Sequence, residues 1–353
     1  MATESAAKKL KTSGPLIGTH NGHFHADEAL AVHLLRLLPT YSTSPLVRTR
    51  DPAVLSTCHT VVDVGGEYDE SKNRYDHHQR TFNTTFPTRP TKLSSAGLVY
   101  LHFGKAIIAQ HMSRSETSPE VNLIWEKLYT EFVEALDGHD NGISAYDSTA
   151  LANAGVEKRY KDGGNTLSSM VGDLNPNWND PAPPEDPQLA QAAEDERFLQ
   201  ASELMGTTFM RKLSYCADVW LPARELVQAA FNARTEYDPK GRIMVFPRSI
   251  PWKDHLYSLE AEAGIPEDQK VLYVLYPESA REGAKWRIMA VSVANDSFES
   301  RKALPEAWRG VRDEKLDEVT GVAGGVFVHA SGFIGGNKTW EGAKAMTDKA
   351  LEM

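Results

Sequence analysis

The chain has 353 residues, 41% of them hydrophobic and 24% charged, a folded globular profile long enough for two domains of ordinary size. Its formal net charge of −10 argues against a general nucleic-acid coat protein, so a phosphate-bearing substrate has to be met by local cations or metal ions. Two cysteines, Cys58 and Cys216, exclude a disulfide framework and a thiolate zinc cluster, which leaves His, Asp and Glu to hold any metal.

Residues 1–13, within "MATESAAKKLKTSGP", read as a flexible tail. Its KKLK matches a weak nuclear import patch, with a solvated tail the stronger reading, and Glu4 and the lack of Arg disfavour a mitochondrial presequence. No apolar run approaches the ~18 residues of a membrane helix, and no signal-peptide core follows Met1. The expectation is an intracellular protein with no membrane partner.

The next stretch alternates strand and helix. "PLIGTH" reads as a strand, and "DEALAVHLLRLL" as a helix with Ala31, Leu34, Leu35 and Leu38 on one face and Asp27 and Glu28 at its positive N-terminus. "PLVRT" is a second strand, and "TVVDVGG" reads as a parallel strand buried on both faces and ending in glycines. "SSAGLVYLHFGKAIIAQ" and "VNLIWEKLYTEFVEAL" are helices, the second with Val121, Ile124, Leu128, Phe132 and Leu136 at helical spacing. Residues 14–165 therefore read as an α/β domain, and ligands of such sheets bind beyond the carboxyl ends of the strands. His20 and Asp63 fall there.

From "NPNWNDPAPPEDPQ" onward proline and acid dominate, and 188–235 is helical in pattern, so 166–235 reads as a helical connector. Residues 236–353 form a smaller C-terminal α/β domain, with strands at "RIMVFP", "VLYVLYP" and "WRIMAVSV" and a final strand, glycine-rich turn and helix.

Ligand-type residues gather in the first domain. "THNGHFHADEAL" holds His20, His23, His25 and Asp27 at a strand-to-helix junction. Asp63 stands between Val62 and Val64, where a carboxylate is costly to bury unless paired or metal-bound. Asp76, His77 and His78 follow thirteen residues later, and "ALDGHDNGIS" adds Asp137, His139 and Asp140. Each histidine alone reads as a surface or capping residue and the 137–140 stretch alone as a loop of turn-formers, whereas Asp63 alone already points to a metal. Together they suit a metal site.

The segments "THNGHFHADEAL", "VVDVGGEYD", "RYDHHQ", "ALDGHDNGIS" and "FVHASGFIGG" resemble the melanocyte-proliferating-gene family of DHH-type exonucleases, over nearly the whole chain. The resemblance implies an N-terminal DHH domain with a mainly parallel sheet flanked by helices, a C-terminal substrate-binding domain, a nuclear or mitochondrial setting, and 3′-to-5′ exonuclease activity on single-stranded RNA. It further implies His20, His25 and Asp63 as ligands of one divalent ion and Asp27, Asp63, His77 and Asp137 as ligands of another, with Asp63 bridging. Spacing leaves open whether His20 or His23 completes the first set. Asp76 is expected to orient His77, and His78 to contact the scissile phosphate or act as an acid. Most DHH enzymes have two aspartates where His25 and Asp27 stand, and the added imidazole shifts the expected preference from magnesium toward manganese. "GFIGGNKTW" is similar to a glycine-rich substrate loop, which assigns His329, Gly332, Gly335, Gly336 and Lys338 to substrate, with Arg301 and Arg309 as nearby cations.

Rival motifs fit less well. "HFHADE" nearly matches the metal motif of metallo-β-lactamase-type hydrolases, but Glu28 replaces its final histidine. An amidohydrolase barrel would leave the Asp-His-His triplet unexplained. "GFIGGNKT" has Asn337 where a Walker loop needs glycine. Within the DHH class the alternative is a hydrolase of pyrophosphate or very short oligonucleotides; Trp286, Trp308 and Phe333 among the cations tilt the reading toward nucleic acid. A non-enzymatic scaffold is disfavoured by the intact ligand set.

Overall fold

The computed structural model describes residues 14–158, 160–161 and 163–353. The tail expected over 1–13, with its KKLK, lies outside them. The chain divides into two compact units, one reaching to Ala217 and the other running Asp218–Met353. That boundary falls within the stretch expected as a helical connector.

The first unit is built on a five-stranded sheet of order β2-β1-β3-β5-β4, comprising β1 (Ile17–Thr19), β2 (Leu46–Arg48), β3 (Thr60–Val62), β4 (Tyr68–Asp69) and β5 (Arg74–Tyr75). All neighbours are parallel except the edge pair β4 and β5. Buried Ile17, Val61 and Val62 suit strands covered on both faces. Because β1 pairs with β2 on one side and β3 on the other, the strand order reverses beside β1. Such a switch point opens a crevice at the carboxyl edge.

Helix α1 (Ala26–Arg36) follows β1, and Ala26 through Val32 are all buried. It packs against α3 (Ser95–Met112) and α8 (Pro187–Ser214); the short α2 (Pro52–Leu55) lies between β2 and β3 in sequence. The apolar stripe expected from sequence is thus a helix buried nearly all round, Asp27 and Glu28 included. A π-helical turn, Tyr129–Val133, splits the long helix expected over 121–136 into α4 (Pro119–Leu128) and α5 (Glu134–Asp140). Short helices α6 (Ser148–Asn153) and α7 (Leu167–Gly172) precede α8.

The second unit holds a mixed sheet of order β6-β7-β8-β10-β9, from β6 (Ile243–Val245), β7 (Tyr273–Pro277), β8 (Trp286–Ala290), β9 (Gly325–Val328) and β10 (Ile334–Asn337). Along β7 the period of two sends Tyr273 and Leu275 into one core with Ile288, Leu304, Trp308 and Met346. Val274 joins the opposite core with Val227, Phe231, Phe246 and Leu256. Helices α9 (Leu221–Ala233) and α10 (Lys253–Glu262) line the second core; α11 (Asp313–Thr320) and α12 (Trp340–Glu352) line the first. The fold is mixed α/β, with a parallel sheet flanked by helices, as expected. No helix among the described residues is long and apolar enough to cross a membrane.

Candidate metal centre

Three strands of the first sheet release a ligand-type residue at the same edge. His20 follows β1, Asp63 follows β3, and Asp76 and His77 follow β5; all four are buried. Asp63 has a left-handed backbone, φ 57°, which costs a non-glycine residue ~1–3 kcal/mol and persists where the surroundings over-determine it, often at functional sites. Here the strain ends β3 one residue early and turns the carboxylate to the crevice. Gly65 and Gly66, at φ 101° and 67°, carry the chain around the rim in a conformation few side chains tolerate.

Asp63 stands between two histidines. Its Oδ2 lies 3.4 Å from His20 Nε2 and its Oδ1 lies 3.4 Å from His77 Nε2. His20 Nδ1 donates to the Asn21 carbonyl at 3.1 Å, so Nε2 is the nitrogen it offers to the cluster. The Glu28 carboxylate, 3.1 Å away, faces the same Nε2, while its Oε1 accepts from the His25 amide at 2.8 Å. Ligand atoms of His20, His25 and Glu28 come within 4.8 Å of one another. His23 is exposed and its ring is tilted against that of His25, with centroids 5.3 Å apart; among the described residues His20, not His23, belongs to this cluster.

His77 is oriented by a residue the motifs did not mark. Asn141 donates its amide hydrogens to the carbonyls of Lys92, Leu93 and Asp137, which leaves its Oδ1 as the acceptor for His77 Nδ1 at 3.2 Å. The expectation that Asp76 holds His77 is corrected. Asp76 Oδ1 instead accepts from the amide and the Nδ1 of His78, at 3.0 and 2.7 Å, and Oδ2 accepts from the Gly66 amide at 2.6 Å. Both oxygens of Asp76 are taken by His78 and Gly66, and the Nδ1 of His77 is already held by Asn141.

Asp137 and Asp140 also exchange roles. Asp137 is fully buried, with Oδ1 accepting from the amide and hydroxyl of Ser94 and Oδ2 from the Tyr129 hydroxyl at 2.8 Å. Gly97 packs so close that any Cβ there would strike this carboxylate. Its oxygens are taken, whereas Asp140 Oδ2 reaches 2.9 Å from His77 Nε2. Asp27, His77 and Asp140 have ligand atoms within 4.8 Å, as do Asp63, His77 and His78. One helical turn from Asp137, Asp140 faces the crevice, and Asp137 faces the core. Asp27 accepts from Ser94 Oγ and from the Ser95 and Ala96 amides, so it sits on the N-terminus of α3.

The cluster's field favours a cation. Burial alone would lower the pKa of His20, but the carboxylates of Asp63 and Glu28 outweigh it and push the pKa up to about 10. Burial likewise opposes the His77 imidazolium, yet Asp140 and Asp63 push its pKa up to about 11. Burial acts to raise Asp63, but His20 and His77 hold it well below the usual carboxylate range. Burial, reinforced by Asp140 and Asp63, drives Asp27 well up; burial also lifts Asp137 to about 7 despite Ser94 and Tyr129. The donor set fits a divalent ion on one further observation. His77 Nε2 is buried and lies 2.9 Å from Asp140 and 3.4 Å from Asp63 without the alignment of a hydrogen bond to either, and Glu28 Oε2 is buried without a partner among the described residues. Such atoms are explained by an ion that bonds them. His20, His25, Asp27, Asp63, Asp140 and His78 all border one open cavity of about 540 Å³.

The C-terminal residues expected at substrate are differently placed. Residues 334–337 are not a loop but the strand β10, paired with β8 on one side and β9 on the other, so its backbone groups serve the sheet. Gly335 and Gly336 are small because a Cβ would meet Leu304 Cδ1 at 2.9 Å and Arg287 Nη1 at 2.6 Å. Gly332, at φ 75°, shapes the hairpin turn before it, where exposed His329 bonds Ser331 Oγ at 2.8 Å. Lys338 does not open α12, whose cap is Thr339. Arg301 is held by both oxygens of Glu260, at 2.9 and 2.7 Å, and Arg309 Nε donates to the Leu304 carbonyl at 2.9 Å.

Fold and site together define an α/β protein with a His and carboxylate cluster at the switch point of its first sheet. The family model MYG1_exonuc, described as an uncharacterised protein family (UPF0160), matches residues 16–351. The protein named MYG1 exonuclease from Homo sapiens is 47% identical over 344 residues, covering 96% of this chain and 86% of the human one. MYG1 protein C27H6.8 from Caenorhabditis elegans is 46% identical over 345 residues, covering 96% and 95%. The chain belongs to the MYG1 exonuclease family, the family its motifs resemble. Among solved structures, exonuclease RecJ bound to manganese matches with a TM-score of 0.25 and 12% identity over 96% of this chain and 91% of that one, a likeness too slight to carry weight.

Proposed function

We propose that this chain is a divalent-metal-dependent phosphodiesterase that shortens single-stranded RNA from its 3′ end and releases mononucleotides. The carrying observation is Asp63, which offers one oxygen toward His20 and the other toward His77 at the rim of an open cavity. Family membership supports the reading, since the human relative is named an exonuclease. Divalent ions held on either side of Asp63, by His20, His25 and Glu28 and by His77, Asp27 and Asp140, would activate a water and stabilise the oxygens of an in-line displacement. Asn21 and Asn141 keep both imidazoles in the tautomer that offers Nε2. Asp76 accepts a hydrogen bond from His78 Nδ1 and raises the pKa of that ring despite burial. The ring can then give a proton to the leaving oxygen. RNA, the 3′ polarity and manganese come from the resemblance, with the imidazole-rich cage in keeping with a transition ion. A nuclear or mitochondrial setting belongs to the same proposal and is tested by imaging the tagged full-length chain.

A second reading, hydrolysis of pyrophosphate or very short oligonucleotides, is favoured by the engagement of Arg301 with Glu260, which removes one cation expected along a polynucleotide. One assay separates the two. Labelled linear RNA, circular RNA, DNA and pyrophosphate are incubated with manganese, magnesium or chelator. Stepwise shortening of linear RNA with intact circles is expected, fastest in manganese and absent in chelator. Rapid cutting of circles, or pyrophosphate hydrolysis with inert RNA, would overturn the proposal.

A further inference from the structure

The candidate cage is acidic, and a phosphodiester is an anion. Asp27, Asp63, Asp76 and Asp140 all border the cavity, and among the described residues Arg50 is the single lysine or arginine on its lining. Two residues earlier, at the end of β2, Arg48 is consumed by the fold. It is buried, bonds Glu194 and the Gly22 carbonyl at 2.8 Å each, and lies over the rings of Phe24 and Phe198. Arg50 is exposed, and no hydrogen bond or ion pair engages its side chain among the described residues. Its backbone is nevertheless fixed. The Thr49 amide donates to the Thr19 carbonyl at 2.7 Å, the residue before His20, and the Asp51 amide donates to Thr49 Oγ1 at 3.1 Å.

We propose that Arg50 binds a phosphate of the substrate in this cavity, an inference that rests on the phosphodiester reading above. The carboxylates around it are already engaged by imidazoles and helix amides, which explains why they leave the guanidinium unpaired. A planar guanidinium carried on this held backbone beside such a cage can take two oxygens of one phosphate at once, which neither an imidazole nor an ammonium does as well. Its place at the carboxyl end of β2, next to β1, puts the phosphate-binding group on the same rigid edge that supplies His20 and Asp63. Substrate charge is then met within the first unit itself.

The test uses the full-length manganese-loaded protein with Arg50→Ala and Arg50→Lys. Binding of adenosine 5′-monophosphate and of adenosine is measured by calorimetry, beside cleavage of a short oligoribonucleotide, manganese affinity and Tm. Arg50→Ala should weaken the nucleotide roughly 10- to 100-fold, as expected for hydrogen bonds to a charged group, and leave adenosine, manganese affinity and Tm unchanged. Arg50→Lys should recover part of the loss, and KM for the oligonucleotide should rise more than kcat falls. Equal binding of the nucleotide by wild type and Arg50→Ala, or no binding by wild type, overturns the proposal. So does a fall in manganese affinity in either variant, which would assign Arg50 to the cage. Should wild type cleave no phosphodiester while nucleotide binding still depends on Arg50, the functional reading falls and the anion site stands.

Discussion

Asp140 and Asp137 lie one helical turn apart, and burial decides which can bond an ion. Asp140→Asn removes a carboxylate that faces His77 Nε2 at 2.9 Å, so manganese affinity measured by calorimetry should fall by a factor of ~100 or more. Asp137→Asn keeps an oxygen for Ser94 and an amide for the Tyr129 hydroxyl, and should retain affinity within about tenfold, at or below the lower end of the loss for partners outside the ligand set. Asn141→Ala leaves His77 Nδ1 without its acceptor, and a loss of ~10–100-fold is expected. Equal losses in Asp137→Asn and Asp140→Asn would refute the assignment of Asp140. His20, Asp63 and His77 could be read from sequence because each follows a short strand, so position in the chain implies position in space. Glu28 and Asn141 could not. Glu28 looks like an ordinary acid in a first helical turn until the helix is known to be buried all round, and Asn141 reaches His77 across 64 residues.

At the scale of elements, the loop from His20 to His25 is held by parts of the chain that lie some 150 residues away. Asn175 Oδ1 accepts from the Phe24 amide and its Nδ2 donates to the Phe24 carbonyl. From α8, Glu194 accepts from the Gly22 amide, and Ser202 bonds the Ala29 carbonyl. Arg48 joins these two sides by bonding Glu194 and the Gly22 carbonyl. Removing one partner of a buried ion pair costs ~3–5 kcal/mol, and because Glu194 and Asp195 keep 27% and 33% of their side chains in water, Arg48→Ala should fall at or below the lower end. Denaturant unfolding checks this, and a change under about 0.5 kcal/mol would show that α8 does not brace the loop through Arg48. Periodicity identified α8 as a helix, but no pattern in "AAEDERFLQASELMG" tells that its polar face meets the loop from His20 to His25. Such pairing is set by tertiary contact. The π-turn before α5 escaped for a related reason, since an apolar stripe at helical spacing is nearly the same with one residue more per turn.

Across the whole molecule, the alternation of strands and helices marked out the first sheet, and the β-rich texture after Gly241 marked out the second. The strand at 334–337 was hidden, because glycines usually signal a turn and here serve close packing inside a sheet. How the acidic cage is linked to stability gives the last prediction. Without metal, His20 and His77 have folded pKa values near 10 and 11, above the ordinary 6.5. A raised pKa stabilises the fold fully below the unfolded value, and the contribution is lost as pH rises through the folded one. Asp63 has the opposite sign, with stability present above its ordinary value and lost only in acid. Asp137, near 7, is still titrating at pH 7.5, and the rest of its titration, like any of Asp27 above that pH, has the same sign as the histidines. Between pH 7.5 and 10 the chelator-treated protein should therefore lose Tm steadily. An ion that bonds both imidazoles must displace their protons, so its affinity climbs over the same range. In saturating manganese the decline should flatten, and binding at pH 7.5 should release protons, seen as a dependence of the calorimetric heat on the buffer's ionisation enthalpy. A metal-free Tm that rises from pH 7.5 to 10, or manganese binding with no proton release, would show that the cage does not hold its histidines charged.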